Sequence, residues 1–168
     1  MKRTKWFDRK FLPIEDNGLL PSLLERLSGT PVRIEEMASL FFSVAAEEMA
    51  DGKWSIKEEI GHLADLEDLW IGRVDDFMDS AEQLRAADLT NQKTNDANHN
   101  LTDINSLLKD FRDKRNELVA RLRKLNDEEL LHAALHPRLK TPMRIIDHVF
   151  FIAEHDDHHL ARIRELIS

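Results

Sequence analysis

The stretch from Thr141 to Ile167, TPMRIIDHVFFIAEHDDHHLARIRELI, decides the fold. Its apolar residues Ile145, Val149, Ile152, Leu160, Ile163 and Ile167 return at three- and four-residue steps, the spacing of one helix face. Thr141 reads as the N-cap and Pro142 as the first helical residue, where proline costs no hydrogen bond. At about 100° per residue, with His155 at zero, the apolar stripe centres near +90°. His159 falls at about +40° and His148 at about +20°, both on the core side, whereas His158 at about −60° points to an edge or to solvent. His155 and His159 are thus one turn apart on one face, the H-x-x-x-H spacing that lets two imidazoles meet one ion.

The same periodicity extends through most of the chain. Leu19 to Leu27 predicts a short helix closed by Ser28-Gly29-Thr30-Pro31, and Arg33 to Met49 a longer one ended by Asp51-Gly52. Ser55-Ile56-Lys57-Glu58 is an S-x-x-E capping box and opens a helix from Ile56 to about Phe77. Ala87 to Asn100 is polar and reads as a long loop. Asp103 to Leu125 predicts a third long helix, and Asp127 caps a short piece ending near Ala134. No segment reads as a strand. The expectation is all-α: an antiparallel four-helix bundle with short extra helices, a single domain over residues 1–168 with residues 1–18 as an N-terminal extension.

Composition narrows the chemistry. The 168 residues contain no Cys and no Tyr, which excludes disulfides, thiolate metal sites, a cysteine nucleophile and a phenolic acid. The net charge is −8, yet Met1 to Phe11 holds five basic residues and one Asp; the rest is strongly acidic, a poor partner for nucleic acid. The basic tip reads as a solvated tail. No apolar run approaches the ~18–20 residues of a membrane span, and no apolar stretch follows the basic start, so a cytoplasmic protein is expected. The basic Arg112–Lys124 stretch reads as a solvated helix face or a dimer contact.

Six of the eight histidines lie between His132 and His159. His155 and His159 give a metal two ligands from one helix; a catalytic site usually takes three and keeps one position open. The third would come from His62, at the core edge of the second long helix, or from His99, in the polar loop. His148 lies about 10 Å along the axis from His155, too far to share the ion. Asp156 at about +100° and Glu59, one turn before His62, fall within apolar arcs. A buried carboxylate needs a partner. Each could orient a histidine, act as base on a bound water, or pair with Arg73 or Arg162.

The residues that carry these features resemble a known family. Lys53-Trp54-Ser55, Glu59 and Gly61-His62-Leu63-Ala64-Asp65-Leu66-Glu67 resemble the second-helix motif of the DinB/YfiT-like superfamily, and Ala153 to Leu160 resembles its last-helix motif. Leu20-Pro21 to Thr30-Pro31 and Pro137 to Met143 extend the likeness over nearly the whole chain. The resemblance implies a four-helix bundle holding one divalent ion, Zn²⁺ or Ni²⁺, on His62, His155 and His159, with a homodimer in some members. It implies either an S-transferase that uses a low-molecular-weight thiol or a metal-dependent hydrolase.

Three readings follow. In the first, a metal-activated thiol attacks a small-molecule electrophile; the loop Asp88 to Leu101, with Asn91, Asn95 and His99, covers the site, and Arg138 holds an anionic group of the substrate. In the second, a bound water hydrolyses an amide or ester with Asp156 or Glu59 as base. In the third, the protein is a non-catalytic metal-binding stress protein whose fourth ligand is His99. A bundle whose histidines merely pack is the reference against which all three are judged.

Overall fold

The computed structural model describes residues 3–40 and 53–168. Five α-helices are present among them: α1 Leu20–Ala38, α2 Ile56–Met78, α3 Gln92–Asp96, α4 Ile104–Leu122 and α5 Ile145–Ile167. Strands β1 (Ala133–Leu135) and β2 (Pro142–Arg144) pair antiparallel just before α5. None of the described helices is long and apolar enough to cross a membrane.

The four long helices make a bundle in which α1 and α2 each pack chiefly against α4 and α5. Pairs along each seam give the directions. Glu25 meets Arg123 and Glu35 meets Arg112, so α1 and α4 are antiparallel. Glu59 meets His159 and Trp70 meets His148, so α2 and α5 are antiparallel. Glu67 meets Arg115 and Asp75 meets Arg121, so α2 and α4 run the same way. The chain thus goes up, down, down and up. Two apolar clusters fill the interior, one around Leu27, Phe77, Leu118 and Ile152, the other around Ile34, Ile60, Phe111 and Ile163.

Local signals set several boundaries as read. Ser55 Oγ accepts from the Glu58 amide (3.2 Å) while Glu58 Oε2 accepts from the Ser55 amide (2.8 Å), closing the capping box of α2. Asp103 caps α4 by accepting from the Ser106 amide (2.9 Å).

Elsewhere tertiary structure overrides the local reading. The break expected at Ser28 to Pro31 is absent, because α1 runs straight through Pro31. Pro31 has no N–H for the Leu27 carbonyl. Arg115 Nη1, from α4, donates to that carbonyl instead (3.3 Å). The Arg33–Met49 helix is therefore the second half of α1, and its continuation over 41–49, with Asp51-Gly52, lies outside the described residues. Pro142 does not open α5 either. It sits in β2 opposite Leu135, and α5 starts at Ile145, where Asp147 Oδ2 accepts from the Arg144 amide (2.8 Å). The piece expected from Asp127 shortens to one 3₁₀ turn, Glu129–Leu131, because the chain turns at once into β1. The loop over 87–100 holds α3 and a 3₁₀ turn, His99–Leu101.

Arg115 is the exception to the solvated face expected of its stretch. It is fully buried and bonded on every side. Asp156 on α5 accepts from both Nη atoms, Nη2 to Oδ1 at 3.0 Å. Glu67 Oε1 on α2 accepts from Nη2 (2.5 Å) and Nε (3.1 Å). Thr30 on α1 donates to Asp156 Oδ2 (2.8 Å). Burial opposes the Arg115 charge, but the two carboxylates outweigh it and hold its pKa above the usual value. Burial pushes the Glu67 carboxyl up to about 7 against the pull of Arg115. Removing one partner of such a cluster strands buried charge, at about 3–5 kcal/mol. Arg115→Met should lower the stability measured by urea unfolding by about that amount; a loss below ~1 kcal/mol would show that the cluster does not hold the bundle.

Candidate metal centre

His62 on α2 and His155 and His159 on α5 converge across the antiparallel seam. One ring nitrogen from each lies within 4.8 Å of the other two, and all three side chains are buried. Of the two histidines the sequence leaves open, His62 is the one that joins this cluster. His99 Nε2 instead contacts Asp65 Oδ2 (2.9 Å).

The surroundings decide which nitrogens are free. Thr94 has one hydroxyl proton and spends it on Asp65 Oδ2 (2.9 Å). It must therefore accept from His62 Nδ1–H (3.0 Å), which leaves the lone pair of His62 on Nε2. His159 Nδ1 donates to Glu59 Oε2 (2.5 Å), so its lone pair too is on Nε2. That Nε2 faces His155 Nε2 at 3.1 Å, and His155 Nδ1 is buried without a partner among the described residues. Two nitrogens bound at ~2.0–2.1 Å to one tetrahedral ion stand ~3.3 Å apart, close to the 3.1 Å between His155 and His159, and with the His62 nitrogen within 4.8 Å the donor set suits a divalent cation. Burial, then the neighbouring imidazoles, hold His62 and His155 well below their usual pKa; burial brings His159 to about 4. All three imidazoles are neutral at pH 7. Burial also pushes Glu59 up to about 7, against the charge of Arg162.

Gly61 is required beside His62. A Cβ there would lie 2.3 Å from the His99 ring, which packs against the bare helix backbone on its way to Asp65. The indole of Trp54 covers the His62 ring at 4.5 Å between centroids and is held by Asn95, to which its Nε1 donates (3.1 Å). Thr94, Asn95 and His99 thus all come from the polar segment expected to cover the site.

A cavity of ≈ 670 Å³ opens beside the three imidazoles, and Asn91 and Arg138 line it, as do Trp6, Trp54 and Trp70. Asn91 stands at a left-handed turn (φ 55°) at the head of α3. Two expectations change here. Asp156 is not available as a base, because Arg115 and Thr30 occupy its oxygens. The N-terminal segment is not a solvated tail. Trp6 stands edge-on to His155 (4.9 Å) and packs on Phe151, while Arg3 reaches Glu165 (3.1 Å) and His158 (2.9 Å). His158, placed at an edge by the wheel, is half-buried under that segment and lines the cavity. Arg3 and Thr94 carry no local mark in the sequence, and Trp6, which reads there only as a core or rim aromatic, offers one signal, a tryptophan amid basic residues.

Residues 18–163 match the family described as the DinB superfamily. Among solved structures, YfiT from Bacillus subtilis, described as a probable metal-dependent hydrolase with an unusual four-helix bundle topology, is similar at a TM-score of 0.77. It is 20% identical, and the likeness covers 95% of this chain and 93% of that one. No curated protein matches the chain.

His148 lies on the same face of α5 but apart from the cluster, against Trp70 and Phe77. It is fully buried, neither ring nitrogen has a well-formed hydrogen bond among the described residues, and burial holds its pKa well below 6.5. In the unfolded chain it takes up a proton below pH ~6.5, while in the folded chain it stays neutral, so it costs stability as the pH falls. His148→Leu should therefore gain on the parent by up to ~1.4 kcal/mol per pH unit below pH ~6.5. Parallel urea curves from pH 7 to pH 5 read this directly, and a constant difference would contradict it.

Proposed function

The chain belongs to the DinB superfamily, and from that membership and the three converging imidazoles we propose that it is a metal-dependent enzyme acting on a small molecule. The reading is carried by one observation: second-sphere bonds from Thr94 and Glu59 turn the Nε2 lone pairs of His62 and His159 away from their own partners and toward a common space. Without an ion, His155 Nε2 at 3.1 Å could donate to His159 Nε2, but one imidazole proton cannot serve both lone pairs. A divalent cation held there, zinc or nickel, would supply Lewis acidity and lower the pKa of a coordinated thiol or water.

Of the two nucleophiles, we assign a low-molecular-weight thiol. Hydrolysis would draw on a carboxylate free to take a proton from water, and both named for that role are engaged: Asp156 by Arg115, and Glu59 by His159 with Arg162 at 3.8 Å. A thiol is acidic enough to dispense with such a base. The chain contains no Cys, so the sulfur would come from the cosubstrate. Trp6 and Trp54 shield the histidines from two sides, and α3 with the His99 turn closes the back of the site.

Metal content of tag-free protein by mass spectrometry is expected to give about one equivalent of zinc or nickel, lost in His62→Ala. Thr94→Val should keep the fold but weaken metal affinity about 10–100-fold. The loaded protein should consume thiols in the presence of an alkyl halide and stop on chelation. Ester hydrolysis without thiol would assign water as the nucleophile instead. Absence of metal in the parent, even after reconstitution, would remove both readings.

A further inference from the structure

The cavity has a second polar corner, beside Trp6 and Phe151. It is built by Arg73 on α2 and by His136 and Arg138, which follow β1. His136 Nδ1 accepts from the backbone amides of Arg138 and Leu139 (3.2 Å each), so its proton sits on Nε2. That Nε2 faces Arg73 Nη1 at 3.3 Å, and a guanidinium can only donate. Two donors therefore point at each other, on side chains exposed by only 1% and 2%. Protonating His136 does not resolve the contact, because both ring nitrogens would then donate.

Arg138 adds a third donor. Its Nη2 is shut off from solvent and has no acceptor among the described residues. Its guanidinium lies over the rings of Trp6, Phe7 and Phe151 at 5.3 to 5.8 Å. Neither Arg73 nor Arg138 forms an ion pair among the described residues, whereas Arg26, Arg33, Arg112, Arg115 and Arg121 each reach a carboxylate. Burial lowers the pKa of both unpaired arginines, Arg73 to about 10. Arg73 is fully buried and Arg138 half-buried; a buried cation without a counter-ion is costly, and the cost is removed by a ligand that brings the anion. The walls agree with this, since six basic side chains and two acidic ones line the cavity of a chain whose net charge is −8.

We propose that Arg73, His136 and Arg138 form a carboxylate-recognition site, and that the substrate is a small organic acid whose carboxylate accepts from these three groups while its apolar body lies against Trp6, Phe7 and Phe151. A carboxylate suits the corner because two coplanar oxygens match the fork of a guanidinium, and because its single charge is met by arginines already shared with aromatic faces. The assignment deepens the reading of this cavity as a substrate site and rests on that reading.

All three tryptophans of the chain line the cavity, so tryptophan fluorescence reports its occupancy. Phenylacetate and hexanoate, each against its neutral amide, are titrated into the full chain, both zinc-loaded and chelated. The acids should bind at least about tenfold more tightly than the amides in both forms. Arg138→Met should erase the preference, and Arg138→Lys, which keeps the charge but not the fork, should reduce it severalfold. If the Met variant does not fold, the Lys variant decides. Equal binding of acid and amide, binding of neither, or a preference unchanged in the variants overturns the proposal. A preference that survives Arg138→Met but vanishes on chelation would place the carboxylate on the metal, and also overturns it. A failed preference beside a full equivalent of metal leaves the metal-enzyme reading intact, and the reverse result separates the two in the other direction.

Discussion

One guanidinium ties the four long helices to each other. Arg115 projects from α4 and bonds Glu67 on α2, Asp156 on α5 and the Leu27 carbonyl on α1. Hydrophobic burial supplies the drive to compact, but it is non-directional and would accept several helix offsets. A buried cation with two carboxylates does not. A slip of one residue along any seam would leave a charge without its partner, at a cost comparable to a large part of a domain's net stability. The cluster also answers a backbone problem. Proline in the middle of α1 frees a carbonyl that must be satisfied, and Arg115 is the group that satisfies it.

The three-histidine cluster inherits this registration. Asp156 adjoins His155 in sequence, and Glu67 lies five residues after His62. Fixing those two carboxylates on one guanidinium sets the level at which α2 and α5 face each other, and hence the convergence of the three imidazoles. The remaining precision is supplied locally, through Thr94 and Asp65 behind His62 and Glu59 behind His159. Burial keeps the imidazoles neutral, the state in which a histidine is a ligand.

What the sequence shows and what it hides divides by range. The capping box at Ser55 and the spacing of His155 and His159 are local, and the structure reproduces both. The burial of Asp156 was legible from the helix wheel, but its partner was not, since Arg115 is 41 residues away in a stretch that looks like a solvated face. The same arginine, 88 residues from Leu27, lets α1 continue through Pro31, so the local rule for proline could not hold there. Pro142 was misplaced for a kindred reason: the β1–β2 pairing captures it before α5 begins. The N-terminal segment hid its role completely, because aromatic residues among lysines and arginines look like a tail until Phe151 and His155 supply the surface they cover.

The cavity is chemically polarised, and this bears on how an acidic protein could take an acidic ligand. Its histidine end offers lone pairs, whereas the corner of Arg73, His136 and Arg138 offers only N–H groups. A ligand feels the charges lining the cavity at contact distance and with little water between. It feels the acidic exterior through solvent, where the Debye length of about 8 Å damps the field. The net charge of −8 therefore weighs against long polyanions that must lie along the outer surface, such as nucleic acid, and has little hold on a small anion inside. Local donors, not the overall charge, set what this cavity selects.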